Sequence, residues 1–131
     1  DWDKSLALQG NSGPYLQYTH ARTQSVLVRA KGQGLSAKDL APSTQHLALN
    51  IEELAVLRWI YRFPEVVEEA ASRYSPNLLC NFIYELAQRY NTFYNKHPIL
   101  GNEFRLTLTR SVGDVLKKGL NLLGISAPEK M

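Results

Sequence analysis

Residues 10–22 read GNSGPYLQYTHAR and set two tyrosines, a histidine and an arginine directly behind a Gly-Asn-Ser-Gly-Pro turn. At 100° per helical residue, Tyr15, Tyr18, Arg22 and Arg29 share a sector about 60° wide. Leu16, Thr23, Leu27 and Ala30 cluster about 100° away from it. Phenol rings stack on unpaired bases, and guanidinium groups hold phosphates. A tyrosine/arginine face beside a glycine-rich turn therefore suits a flat, anionic ligand such as single-stranded nucleic acid. The same pattern admits a second reading, in which the tyrosines pack on the second or fourth helix with their hydroxyls at the rim. His20 falls nearer the apolar side, as a buried, hydrogen-bonded histidine would.

Further along, Tyr90 lies inside an apolar stripe and Tyr94 at its edge, followed by Asn95, Lys96 and His97. Core packing is the ordinary role for Tyr90. Arg110 and Lys117 stand seven apart on the polar side of the last helix, where a basic face is either solvated or laid beside phosphates.

Other chemistry finds little support. There is no P-loop, paired-glycine dinucleotide motif or HExxH. His20, His46 and His97 sit in separate elements without ligand spacing, so no metal site is expected. Ser111 and Asp114 lie one turn apart with no histidine placed to complete a triad. Glu52-Glu53 and Glu68-Glu69 are adjacent and point about 100° apart on a helix, as solvated charges do. Cys80 is the sole cysteine, which excludes an internal disulfide, and its apolar surroundings mark a core residue. No catalytic residue is assigned.

The elements that would position these groups follow a 3.6-residue period almost throughout. Five helices and one long connection are expected. The first starts at Pro14 and runs to about Lys31. Residues 32–49, with Gly, Ser, Ala and Pro42, form the connection and the most mobile segment. The second helix runs from about Asn50 to Arg62, with Asn50 and Glu53 spaced as a capping box. Pro64 opens the third, EVVEEAASRY. The fourth spans about 76–97, with Leu79, Phe82, Ile83, Leu86, Ala87, Tyr90, Phe93 and Tyr94 in one stripe. The fifth spans about 102–123 and places Phe104, Leu108, Val112, Val115, Leu116, Leu122 and Leu123 on one side. Gly119 falls inside that stripe and would let a neighbour approach closely. Short connections favour antiparallel neighbours, so the fold class is all-α, an antiparallel helical bundle of five to six helices in a single domain, 1–131.

The 131 residues carry a net charge of +3, divided unevenly: +2 over residues 1–50, −2 over 51–76 and +3 over 77–131. A phosphate-bearing partner should touch the two ends and avoid the middle. No stretch approaches the length of a membrane span. DWDKSLALQG lacks the basic start and apolar run of a signal peptide. The chain begins on Asp1, and it is read as a piece of a larger protein.

DWDKSLALQGNSGPYLQYTHAR, LLCNFIYELAQRYNTFYNKHPIL and RLTLTRSVGDVLKKGLNLLGISAPEKM resemble, in order, the C-terminal helical domain of arginyl-tRNA synthetases, including its Pro-Glu-basic-Met ending. The loop at 32–49 resembles it least. The resemblance implies a DALR-type anticodon-binding domain that holds the anticodon stem-loop of arginine tRNA. It implies a class I parent enzyme that ligates arginine to tRNA with ATP and Mg on a separate catalytic domain. The His-Ile-Gly-His-type and Lys-Met-Ser-Lys-type motifs of that domain are absent here. The chain alone should therefore be inactive and need no cofactor. The family's anticodon contacts carry over to Asn11, Tyr15, Tyr18, Tyr90 and Tyr94, with the middle anticodon base, a cytosine, unstacked near them. Arg22, Arg110 and Lys117 join them here as expected phosphate contacts. The expected partners are arginine tRNA and the parent's catalytic domain, with no membrane, for a cytoplasmic monomer. A structural docking bundle and a cysteinyl-type DALR domain are the alternatives.

Overall fold

Asn50 begins the best-defined helix start of the chain. Its side chain accepts from Glu53 N at 2.8 Å, and Glu53 Oε2 accepts from Asn50 N at 3.1 Å. Two donors of the helix start, Asn50 N and Glu53 N, are thereby satisfied, as the Asn-x-x-Glu spacing predicts.

The computed structural model describes residues 13–34 and 48–131. Asn11 and most of the connection expected at 32–49 lie outside the described residues. Five helices follow in order: α1 Gly13–Gly32, α2 Ile51–Tyr61, α3 Phe63–Ser72, α4 Pro76–Lys96 and α5 Glu103–Leu122. No strand occurs among the described residues. Proline sits in the first turns of α3 and α4, where its missing N–H costs nothing.

The helices form an all-α bundle. α1 lies mainly along α5, while α2 and α3 lie along α4. The α4 stripe supplies the middle: Leu79, Phe82, Ile83, Leu86, Ala87, Tyr90 and Phe93 are all buried. Tyr94, the last member of the expected stripe, is only half-buried. Two glycines let α5 approach its neighbours. A β-carbon at Gly119 would come within 2.7 Å of Ile83 Cγ2 on α4, and one at Gly113 within 2.7 Å of Thr23 Oγ1 on α1. The expectation at Gly119 is met; the close pass at Gly113 was not foreseen.

The α5 stripe differs from expectation at its end. Leu106 and Leu120 join the core, whereas Leu122 is 60% exposed. Leu122 stands about 120° around the helix from Leu116, so it points away from α4 once Gly119 fixes the contact line.

Beyond α5, Gly124 takes φ 77° and Ile125 N donates to Leu120 O at 2.9 Å, turning the chain back toward α1. Gln17 Nε2 donates to Ser126 O at 2.9 Å. His20 Nδ1 meets Pro128 O at 2.9 Å. A carbonyl only accepts, so Nδ1 carries the proton. His20 is thus the buried, hydrogen-bonded histidine expected, and it fixes the C-terminal tail across α1.

Candidate nucleic-acid interface

Arg22 occupies the centre of the tyrosine/arginine face. Its guanidinium carbon lies 5.1 Å from the Tyr18 ring centroid and 4.4 Å from that of Tyr94. α1 presents Tyr18 and Arg22 one turn apart, and the last turn of α4 brings Tyr94 against them. Nη1 donates to Asn91 Oδ1 at 2.7 Å, and Nη2 donates to the Tyr18 hydroxyl at 3.3 Å. Two ring contacts and two hydrogen bonds fix the guanidinium plane and, among the described residues, leave N–H donors over.

Asn91 ties the two helices together. Its oxygen faces Arg22, and its amide donates to the Tyr15 hydroxyl at 3.0 Å and to Thr19 Oγ1 at 3.1 Å. Tyr15 is half-buried, edge-on to Tyr84 with centroids 5.6 Å apart. It therefore packs on α4 in the way the second sequence reading allows, and is linked to Arg22 through Asn91. Tyr18 is 44% exposed.

Tyr90 corrects an expectation. Its ring is 0% exposed, and its hydroxyl donates to Thr109 Oγ1 at 3.5 Å. Burial pushes the phenol up to about 12. A base cannot reach that ring. Its role is to back the Tyr94 ring, whose centroid lies 6.2 Å away.

In front of Arg22 opens a groove of about 570 Å³ lined by Tyr18, Arg22, Arg29 and Tyr94 on the helices and by Glu129, Lys130 and Met131 on the tail. Its floor is the small and apolar part of α1, Ala21 and Val26. Of the expected site residues, Tyr18, Arg22 and Tyr94 come together here. Arg110 and Lys117 are exposed on α5 and do not line the groove. Asn91 and the three tail residues were missed. Asn91 follows a core tyrosine, and nothing in its own helix marks its partners. The tail reads as polar and short, and the one signal for its return was an apolar Ile125 just after Gly124.

The end of α4 is held from beneath. Lys96 Nζ donates to Glu52 Oε1 at 2.8 Å, and His97 Nε2 lies 3.2 Å from Glu52 Oε2. The Lys96 hydrogen bond, with further help from the Glu52 backbone and His97, draws the Glu52 carboxyl down to about 2. Buried Glu53, besides closing the α2 cap, accepts from Arg105 Nε at 2.6 Å, and Arg105 Nη1 donates to Pro98 O at 2.8 Å.

No group of three or more histidine, cysteine, aspartate or glutamate side chains suited to a metal ion occurs among the described residues. No described helix is long and apolar enough to cross a membrane.

A helical bundle with an aromatic and cationic groove is matched over residues 16–131 by the family model of the DALR anticodon binding domain. The chain belongs to that family. Among curated proteins, this DALR domain is similar to the arginine–tRNA ligase of Parabacteroides distasonis, 40% identical over 98% of the chain and 22% of the relative. It is 41% identical to the arginine–tRNA ligase of Rhodopirellula baltica over the full chain and 21% of that protein. The arginyl-tRNA synthetase of Thermus thermophilus shares the DALR fold at a TM-score of 0.84 and 32% identity, covering 99% of this chain and 23% of that one. That of Plasmodium falciparum superposes at 0.82 with 27% identity over the whole chain and 23% of its own. The chain thus spans less than a quarter of the length of these relatives.

Proposed function

We propose that this DALR domain is the anticodon-binding part of an arginine–tRNA ligase and holds the anticodon stem-loop of arginine tRNA in the groove before Arg22. The observation that carries this reading is the Arg22 guanidinium, clamped between two partly exposed tyrosines and left with donors unused among the described residues. A splayed-out base stacks on Tyr18 or Tyr94, and the leftover N–H groups of Arg22 meet acceptors on its edge or the adjoining phosphate. A cytosine offers such acceptors, in keeping with a middle anticodon cytosine. Asn91 and Tyr15 position Arg22 from behind. Arg110 and Lys117 lie outside this groove and serve as outlying phosphate contacts. Asn11 would reach the same loop from the turn before α1.

In this reading the ligation of arginine to tRNA, with ATP and Mg, belongs to the remaining three-quarters of the parent protein. The chain itself orients the tRNA and takes no part in a chemical step. The setting is the cytoplasm, and the chain works as a monomer.

A second reading draws on α2, which leaves Ile51 and Tyr61 on the surface. In it the bundle chiefly docks on the rest of the synthetase. Binding of the chain to an anticodon hairpin of arginine tRNA separates the two. RNA recognition predicts measurable affinity that falls as salt rises, and a loss of roughly 1–3 kcal/mol in Tyr94→Ala. A folded chain with no affinity for the hairpin leaves the docking role. A hairpin carrying a cysteine anticodon, bound equally well, overturns the arginine assignment.

A further inference from the structure

Arg22 is held differently from the other fixed arginines of the bundle. Among the described residues, Arg73, Arg89 and Arg105 each donate to a glutamate carboxylate, at 3.0, 3.4 and 2.6 Å. Arg22 donates instead to the neutral oxygen of Asn91, at 2.7 Å, and to the Tyr18 hydroxyl, at 3.3 Å. Glu129 lines the same groove and is ion-paired with no cation among the described residues. A carboxylate in the place of Asn91 would hold the guanidinium and cancel its charge. An amide oxygen holds it and leaves the charge in place.

The network behind Asn91 dictates which way its amide points. Thr19 Oγ1 donates its single proton to the Tyr15 carbonyl at 3.0 Å, so toward Asn91 it can only accept. The Asn91 nitrogen therefore faces Thr19, at 3.1 Å, and gives its second proton to the Tyr15 hydroxyl at 3.0 Å. That leaves the oxygen for Arg22. Thr19 is buried and the Tyr15 ring is packed edge-on to Tyr84, so the amide is anchored at fixed points on α1. Ring faces alone allow a guanidinium to turn in its own plane. A short hydrogen bond to one of its nitrogens fixes which N–H groups face the groove. Asn91 itself does not line the groove.

We propose that Asn91 is a positioning residue for anticodon recognition, a neutral tether that aims the Arg22 guanidinium at the middle anticodon base without taking up its charge. The inference rests on the RNA-binding reading above. It goes beyond that reading by assigning part of the discrimination of the base to a side chain that touches no RNA. An aspartate at this position would pair with Arg22 and withdraw the cation from the RNA. The Tyr15 and Thr19 hydroxyls could both turn to donate to it, so the bundle would tolerate the change. An alanine would leave the cation and remove its aim.

The test titrates anticodon hairpins of arginine tRNA, with the middle cytosine intact or replaced by uracil, over a range of salt. The proteins are the parent chain, Asn91→Asp, Asn91→Ala and Thr92→Asp, each checked for folding by its thermal melt. Asn91→Asp should lower the slope of log affinity against log salt by about one, as the loss of one cation does. Thr92→Asp adds the same charge at the next, exposed position, about 100° around α4, and should keep the parent slope. Asn91→Ala should also keep the slope, bind the cytosine hairpin roughly tenfold more weakly and lose preference for cytosine over uracil. The tether is overturned if Asn91→Asp keeps the parent slope, or if Thr92→Asp loses as much slope as Asn91→Asp. It is equally overturned if Asn91→Ala weakens both hairpins by the same factor, as a merely structural residue would. Should Asn91→Asp fail to fold, the cytosine preference of Asn91→Ala decides alone. A parent chain that binds the hairpin, with Asn91 variants that behave like it, loses the tether only. One that binds no hairpin at all loses the RNA reading with it.

Discussion

Two arginine–aromatic clusters of this bundle look alike in composition and differ in what surrounds them. Arg62, just past the end of α2, and Arg89 on α4 lie over Trp59 of α2 at 4.7 Å and 3.8 Å. The indole stacks on Phe82 with centroids 5.4 Å apart and donates its N–H to the Phe82 carbonyl at 3.0 Å. Arg89 is paired with Glu85 at 3.4 Å. On α1 and α4, Arg22 lies between Tyr18 and Tyr94, holds no carboxylate among the described residues, and faces an open groove. In the first cluster the indole N–H and Arg89 are engaged within the fold, and Arg62 is an exposed cation over the same indole. The second keeps a cation with no ion-paired carboxylate among the described residues, between two partly exposed rings. Aromatic and arginine content alone therefore does not mark a nucleic-acid surface; a cation framed by two partly exposed rings at the mouth of a groove does.

Breaking each cluster should give opposite results. Trp59→Ala removes a packed indole and should destabilise the chain by about 3 kcal/mol in urea unfolding, while the folded fraction binds the anticodon hairpin as before. Arg22→Ala should do the reverse in emphasis, costing about 2 kcal/mol of RNA affinity, roughly thirtyfold in Kd, because charged hydrogen bonds are lost. Tyr18→Ala should cost about 1 kcal/mol of affinity, with Tyr18→Phe retaining most of it, since stacking needs the ring and not the hydroxyl. Weaker RNA binding in Trp59→Ala than in Arg22→Ala would erase the distinction between the clusters.

A smaller effect sharpens the comparison through pH. The Glu52 carboxyl is drawn down to about 2 from an ordinary 4.5. Its contribution is fully present above the ordinary carboxylate value and is lost as pH falls from there through about 2. Thermal melts between pH 5 and 2 should fall less steeply for Glu52→Gln than for the parent chain. Smallest of all, Arg110→Gln or Lys117→Gln should change hairpin affinity by less than about 0.5 kcal/mol at moderate salt, because exposed charges away from the groove are screened. A larger loss would move the RNA path onto α5.

What the sequence made legible was local in origin. The Asn50/Glu53 cap, the proline starts of α3 and α4, and the α4 stripe depend on spacing within one helix. Gly119 was readable because a glycine inside an apolar stripe has few other uses. The site was legible only in part. Tyr90 and Tyr94 differ by about 40° around α4, and which of them is sealed depends on α5 bringing Thr109 to one side and on α1 bringing Arg22 to the other. Tyr15 shares a helical sector with Arg22, yet Tyr84 and Asn91 of α4 claim it. Asn91 has no partner on its own helix that would reveal its role. The tail looked polar and idle, and the contacts that bring it to the groove are the hydrogen bonds of Gln17 to Ser126 and His20 to Pro128, far apart in sequence.

The central claim is that Arg22, framed by Tyr18 and Tyr94, is where an unstacked anticodon base is held. Chemical footprinting of the chain on arginine tRNA tests it directly. Protection should fall on the anticodon loop, and it should be lost both when the middle anticodon nucleotide is altered and when Arg22 is replaced by alanine. Protection confined to another part of the tRNA, or an anticodon footprint indifferent to both changes, would contradict the account.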